Sequence, residues 1–364
     1  MRQNGDGRRG GGSHAPLPPE GFDRGESPVV LVPGRGPESA PRLRRSGSVL
    51  HALKWLFAVA GVFALFFMAM TIGAVFSYSY DAARLSASTG RSVEDVVESG
   101  IYLTQDGSVR AAIAGQFTVL SVMLPLWRRV RWRAFGPWRR AGSPRDARSI
   151  ALSVAGIAVA GIGLQLLIGY VLGFVLQFLP HLSHEYTRIM EDAGTGTLTP
   201  LSLLTVAILA PVIEEITCRG IMFDFFLRAG SPRWSARSGA AGVPVSRRAV
   251  AAACVAQALT FAVMHGNIVQ GSYALVMGIA LGWVYWRTGS LVYNIGLHLA
   301  INFSSFAVQT LGSVLDPLGY AVCLVLTGAV AAAGAGLFMC GTRRRVIPLG
   351  LPAAGESTAS VPTR

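Results

Sequence analysis

Apolar runs of about 17 residues or more recur along the chain, separated by short polar stretches, and runs of that length suit the ~30 Å hydrocarbon core that a helix crosses in about 20 residues. Eight can be delimited, at 55–76, 111–127, 150–179, 200–227, 249–265, 268–286, 290–310 and 317–341. They are continuous and rich in Ala and Leu, without the alternation of a membrane barrel strand. The pattern therefore predicts an all-α, polytopic membrane protein with about eight transmembrane helices. The third run is long for the core and calls for tilt or a protruding end. Residues 1–47 are rich in Gly, Pro, Ser and Arg and show no periodicity. They are expected to form a disordered tail, too long and polar for the basic end of a cleavable signal. The first run is thus expected to be retained, with a membrane domain over 48–345 and a second disordered tail at 346–364.

Composition and charge sharpen this picture. Hydrophobic residues make up 51% of the chain and charged residues 14%, where a soluble domain carries about 25% charged. The net charge of +13 would suggest nucleic acid if it were spread over a surface. Instead the arginines gather in alternate connections. Arg128, Arg129, Arg131, Arg133, Arg139 and Arg140 follow the second run, Arg233, Arg237, Arg247 and Arg248 the fourth, Arg287 the sixth, and Arg343, Arg344 and Arg345 the eighth. The connections between carry Asp81, Glu94, Asp95, Glu98 and Asp106 against few arginines, then a mixed set of Glu185, Arg188, Glu191 and Asp192, then Asp316. This alternation satisfies the positive-inside rule for eight spans with both termini cytoplasmic. It assigns the basic excess to topology and anionic headgroups of the lipid bilayer, with no nucleic acid partner, and the expected location is the cell membrane. Cys218, Cys254, Cys323 and Cys340 lie in apolar stretches without metal-binding spacing and are expected to be packing residues.

A charge at the centre of a spanning helix costs about 2.5–3.5 kcal/mol on insertion scales, so the few ionisable groups inside the runs carry the most information. They are the acids Glu214, Glu215 and Asp224 and the histidines His265 and His298. Adjacent carboxylates point about 100° apart on a helix. Glu215 and Arg219 stand at i, i+4 with the acid first, the favoured order for an ion pair, so Glu215 is assigned to holding Arg219. Glu214 faces another way without that partner, and a desolvated carboxylate suits a general base. Pro211 leaves a carbonyl one turn back without its amide partner. Phe261 and His265 share a face, with Gln257 a turn earlier; Asn294, His298 and Asn302 form one polar stripe at i, i+4 and i+8. Taken singly, these segments also read as an ion-pair cluster, an interfacial histidine and interhelical hydrogen-bond glue. Taken together they are the set expected of a buried hydrolytic site, with groups to activate water and donors for an oxyanion.

The segments Glu214-Glu215-xxx-Arg219, Phe261-xxx-His265 and His298-xxx-Asn302, in that order on separate runs, resemble the three motifs of the CPBP family. These are the CAAX-protease and bacteriocin-processing (Abi) intramembrane proteases, among them the type II CAAX prenyl endopeptidase. The resemblance covers about residues 198–311. It implies an intramembrane endopeptidase acting on a membrane-associated peptide or protein. Carried over by position, Glu214 is the base that activates water, His265 assists it, His298 and Asn302 stabilise the oxyanion, and Glu215 and Arg219 order the site. It also implies a cavity between the fourth, fifth and seventh spans with its mouth toward the cytoplasm. Family members are named metalloproteases, and a metal-free glutamate mechanism is also argued. Two histidines and a glutamate supply the three protein ligands of a catalytic zinc, but a glutamate on the metal is not free as a base, so Zn2+ stays open at this point.

Other intramembrane protease motifs are poorly matched. The nearest approach to HExxH is His184-Glu185-Tyr186-Thr187-Arg188, with Arg in place of the second His and an expected position in a loop. The rival classes are a non-proteolytic membrane scaffold and a proton-coupled transporter. The transporter predicts an inverted repeat, whereas the polar residues concentrate in spans four to seven. One tension remains in the sequence. Counted from Arg248 at about 1.5 Å per residue, His265 is expected about 25 Å from the inner face, deeper than Glu214 and His298.

Overall fold

The computed structural model of the chain describes residues 45–135, 146–192, 199–231 and 246–342; the tails expected at 1–47 and 346–364 lie outside them, save the first residues of the first helix. Every regular element among the described residues is helical. In chain order they are α1 (Arg45–Thr89), α2 (Val93–Ser99), α3 (Gln105–Phe135), α4 (Ala147–Leu176), α5 (Pro180–Asp192), α6 (Pro200–Gly230), α7 (Arg247–Met264), α8 (Ile268–Thr288), α9 (Leu291–Ser305), α10 (Val308–Leu315) and α11 (Tyr320–Gly341). Seven of them (α1, α3, α4, α6, α7, α8 and α11) are long and apolar enough to cross a membrane. The chain is an all-α polytopic membrane protein.

The run at 290–310 is not one helix. At 15 residues, α9 is about 22 Å long, short of the hydrocarbon thickness. It ends where Ser304 and Ser305 donate their hydroxyls to the carbonyls of Ala300 and Asn302, a local alternative to continued helix. Two connections that hydropathy reads as loops contain helices. Ser92 caps α2 by accepting the amide of Asp95, and Gly100 closes it at φ 64°. The segment with the partial HExxH match is on a helix, α5. Leu182, Tyr186, Ile189 and Met190 form its half-buried face, while His184, Glu185 and Arg188 are exposed, the spacing of an amphipathic helix.

The burial pattern makes α6 the central element. Its apolar window is 56% buried, against 22% for α11 at the periphery. The outer helices leave Phe57, Phe76, Val292 and Val325 exposed, a surface suited to hydrocarbon rather than water. In lipid the hydrophobic effect does not drive helices together, and close backbone packing takes its place. The α4–α11 pair shows how. A Cβ on Gly156 would stand 2.3 Å from the amide nitrogen of Phe338, and one on Gly334 would stand 2.1 Å from that of Ala160. Only glycine permits the two backbones to meet there. Gly334→Val is expected to separate α4 from α11 and cost about 1–3 kcal/mol through overpacking. It should be read as a lowered Tm in detergent, with Gly336→Val, whose Cβ meets nothing within 4 Å, unchanged.

Candidate functional site

The site is built around a carboxylate with no contact to solvent. Glu215 is fully buried, and its Oε1 accepts from Arg219 Nη1 at 2.7 Å and from His298 Nδ1 at 2.9 Å. Arg219 is buried as well. Its Nη2 donates to the Gly278 carbonyl at 3.3 Å, and its guanidinium lies 4.7 Å from the centre of the Phe261 ring. Gln257 Nε2 donates to the same Gly278 carbonyl at 2.7 Å. One ion pair thus ties together α6, α7, α8 and α9. A buried pair needs such further partners, because desolvation otherwise outweighs the attraction. Two of the polar residues from the His298 stripe part company here. Asn294 donates to the Leu281 carbonyl at 2.6 Å and joins α9 to α8, whereas Asn302 faces α6.

The path of α6 explains that second contact. Residues Leu203–Leu209 and Ile216–Met222 are π-helical, flanking an α-helical turn at Ala210–Glu215. In the π register the amide of Ala210 reaches the carbonyl of Thr205, so the next bond would run from residue 211 to Val206. Residue 211 is proline and has no N–H to give. Asn302 Nδ2 supplies the missing donor to the Val206 carbonyl at 2.9 Å. The carbonyl orphaned by Pro211 therefore fixes the Asn302 amide and leaves its second N–H uncommitted by that bond.

The two histidines are oriented just as specifically. His265, at the C-cap of α7, sets Nδ1 2.8 Å from the Phe261 carbonyl. A carbonyl only accepts, so Nδ1 carries the proton and Nε2 of the neutral ring is an acceptor. His298 has Nδ1 on Glu215 and Nε2 3.7 Å from Glu214 Oε2. Phe261 stands edge-on between the two rings, 4.8 Å from His265 and 5.8 Å from His298 centre to centre. Glu214, His265, His298 and Asn302 all line one cavity of about 610 Å³. Glu214 retains 19% side-chain exposure where Glu215 has none. The two adjacent acids therefore divide as their 100° offset requires, one into the cavity and one into the protein.

The depth mismatch dissolves because the helices start at different levels. Gly230, at the end of α6, lies beside Ala249 at the start of α7, but Leu291, at the start of α9, lies beside Gly220. Measured from Gly220, Glu214 is six residues up α6 and His298 seven residues up α9 from Leu291, about 10 Å each. His265 is sixteen residues past Ala249, less the ten residues by which α6 runs beyond Gly220, which brings it to the same level.

Other groups that sequence reasoning left unassigned find places. Asp224, the third acid in the runs, pairs with Arg228, whose guanidinium lies 4.9 Å from the Trp55 ring; His51 Nε2 donates to the Arg228 carbonyl at 3.0 Å. This cluster is separate from the cavity. Sequence reasoning missed Gln116 on α3, which lines the cavity and donates to the Thr205 carbonyl at 3.2 Å. A polar side chain within an apolar run was its only signal. It also missed the bond from His298 to Glu215. The four cysteines are free, Cys218 and Cys323 buried, Cys254 half-buried and Cys340 exposed. Among the described residues no three His, Cys, Asp or Glu side chains are grouped so as to hold a metal ion. The donors around the cavity do not fit the three-ligand zinc site of a hydrolase, and no step below is routed through a metal.

Removing Arg219 would leave Glu215 buried with only His298 as a partner. Arg219→Met is expected to destabilise the protein by about 3–5 kcal/mol, the cost of breaking a buried ion pair from one side. The double variant Glu215→Gln/Arg219→Met should recover part of that loss. Thermal unfolding of the purified variants in detergent measures both.

No curated protein and no solved structure matches the chain. A protein-family model does: residues 196–304 match the family described as type II CAAX prenyl endopeptidase Rce1-like. The matched stretch contains Glu214, Glu215, Arg219, His265, His298 and Asn302. Residues 196–304, the part of the chain that carries the buried ion pair and the cavity's two histidines, are thus similar to the Rce1-like domain of type II CAAX prenyl endopeptidases.

Proposed function

We propose that this protein is an intramembrane endopeptidase that hydrolyses a peptide bond of a membrane-associated protein, with Glu214 as the general base. One observation carries the reading: Glu214, His265, His298 and Asn302 come from three separate helices and line the same cavity. Ion-pair glue alone would bury these groups against one another, as Glu215 and Arg219 are buried, rather than present them to a space that admits water.

The chemistry follows from the atoms available. A water held between the Glu214 carboxylate and the bare Nε2 of His265 loses a proton to Glu214 as its oxygen attacks the substrate carbonyl carbon. The carbonyl π electrons move onto oxygen, and the resulting oxyanion lies between His298 Nε2 and the second N–H of Asn302. For Nε2 to donate, the His298 ring carries two protons, one of them held on Nδ1 by Glu215. The tetrahedral intermediate collapses with cleavage of the C–N bond. Glu214 returns its proton to the departing amine. Glu215 and Arg219 touch no reacting atom and act by positioning His298. Both termini are assigned to the cytoplasmic side of the cell membrane, from the distribution of arginines.

The test uses the full chain reconstituted in liposomes with membrane-tethered peptides. Glu214→Gln, nearly isosteric, is expected to lower kcat/KM by about 10²–10⁴-fold, the usual contribution of a general base. Asn302→Ala is expected to lower it by about 10²–10³-fold through kcat, as loss of an oxyanion donor does. Full activity of Glu214→Gln with unchanged Tm overturns the assignment and favours a scaffold.

A further inference from the structure

We propose that the cavity opens on the extracytoplasmic face, so that the substrate is the extracytoplasmic juxtamembrane segment of a membrane-anchored polypeptide. The proposal rests on the proteolytic reading above and adds to it the side from which the peptide arrives.

The two ends of the helix bundle differ in charge. At one end lie the C-termini of α3, α6, α8 and α11 and the N-termini of α1, α4, α7 and α9. Arg128, Arg129, Arg148, Arg247, Arg248 and Arg287 belong to that end. At the other end lie Asp81, Glu94, Asp95, Glu98, Asp106, Glu185 and Asp316, against the four arginines Arg84, Arg91, Arg110 and Arg188, of which Arg110 pairs with Asp81. The positive-inside rule places the arginine end in the cytoplasm.

The cavity runs from the motif residues to the acidic end. Its walls pass Gln116 and Thr205 and rise to Ser108 near the start of α3, Leu172 near the end of α4 and Gln270 near the start of α8. Its floor is closed in the other direction. Below Glu214 stand Glu215, Arg219, Gln257 and Asn294, all without solvent exposure, and no residue at the arginine end lines the cavity. At the acidic end Tyr186, Ile189 and Met190 of α5 form part of the wall, while the opposite face of α5 is exposed. An amphipathic helix so placed lies flat at a membrane interface, beside the mouth. The cytoplasmic mouth implied by the family resemblance and the cytoplasmic position of the arginines are therefore incompatible in this chain. The charge balance decides between them: acids outnumber arginines at the end where the cavity opens, and arginines outnumber acids at the closed end. A lipid-modified C-terminus held on the cytoplasmic leaflet would face the closed floor.

Two measurements separate this inference from the reading it rests on. In a background with Cys218, Cys254, Cys323 and Cys340 replaced by Ala, Ser108→Cys and Ile189→Cys are probed with a membrane-impermeant maleimide, in intact cells and in inverted vesicles. In parallel, the full chain is co-expressed with single-span reporters that carry the same randomised segment next to the membrane, on either the extracytoplasmic or the cytoplasmic side. Labelling in intact cells, with cleavage confined to extracytoplasmic reporters and lost in Glu214→Gln, is the expected result. Labelling only in inverted vesicles, or cleavage confined to cytoplasmic reporters, overturns the orientation and leaves the protease standing. Labelling from outside with neither reporter cleaved overturns the proteolytic reading, and the substrate assignment with it.

Discussion

A carboxylate in a low-dielectric interior must be paired with charged or polar donors or the fold that buries it is destabilised. Glu215 is that carboxylate, and it is paired through one oxygen, Oε1. Its demand for donors brings Arg219 across one helical turn and His298 from another helix. Arg219 in turn demands an acceptor and an aromatic face, which Gly278 and Phe261 provide. Four helices are thereby set in register by a single buried charge. The histidine that faces the cavity is aimed by the same bond, so structural integrity and chemical orientation depend on one oxygen atom.

The neighbouring part of the site follows from a deficit rather than a surplus. Proline inside a helix removes a donor, and the carbonyl it abandons takes a partner from elsewhere. Here the π register moves that abandoned carbonyl to Val206, within reach of Asn302. Helices that widen to the π form often do so where function needs an irregular backbone. In α6 the two wide segments enclose the turn that carries both glutamates, and each acid finds a different environment within a single residue step.

Much of this was legible in the chain. Hydropathy located α4, α6, α7, α8 and α11 within about three residues, because length and continuous apolarity are set by the bilayer itself. It missed the polar ends of α1 and α3, which run 6–13 residues beyond the apolar stretches at 55–76 and 111–127. The i, i+4 spacing of Glu215 and Arg219 announced their pairing, and the 100° offset separated Glu214 from it. Three kinds of information were hidden. Hydropathy could not distinguish a full span from α9 with α10, since the residues on both sides of the break at Phe306 and Ala307 are equally apolar. Composition hid α5, whose amphipathic period lies in a segment too polar for a hydropathy window. Sequence counting put Glu214 and His298 too shallow relative to His265 because it assumed that helices begin at a common plane, whereas α9 begins beside Gly220, ten residues inside the end of α6. That last fact is a property of packing between helices distant in sequence, and no local pattern records it.

The short α9 has a mechanical corollary. A helix of about 22 Å cannot match a hydrocarbon layer of ~30 Å, and lipid adjusts to such mismatch by thinning beside the protein. Beside α9 that response would draw the headgroups inward and shorten the distance over which a hydrophilic chain must leave its own surroundings. Such a dimple would make the membrane, as well as the polypeptide, the means by which moisture reaches a cavity lodged among oily side chains.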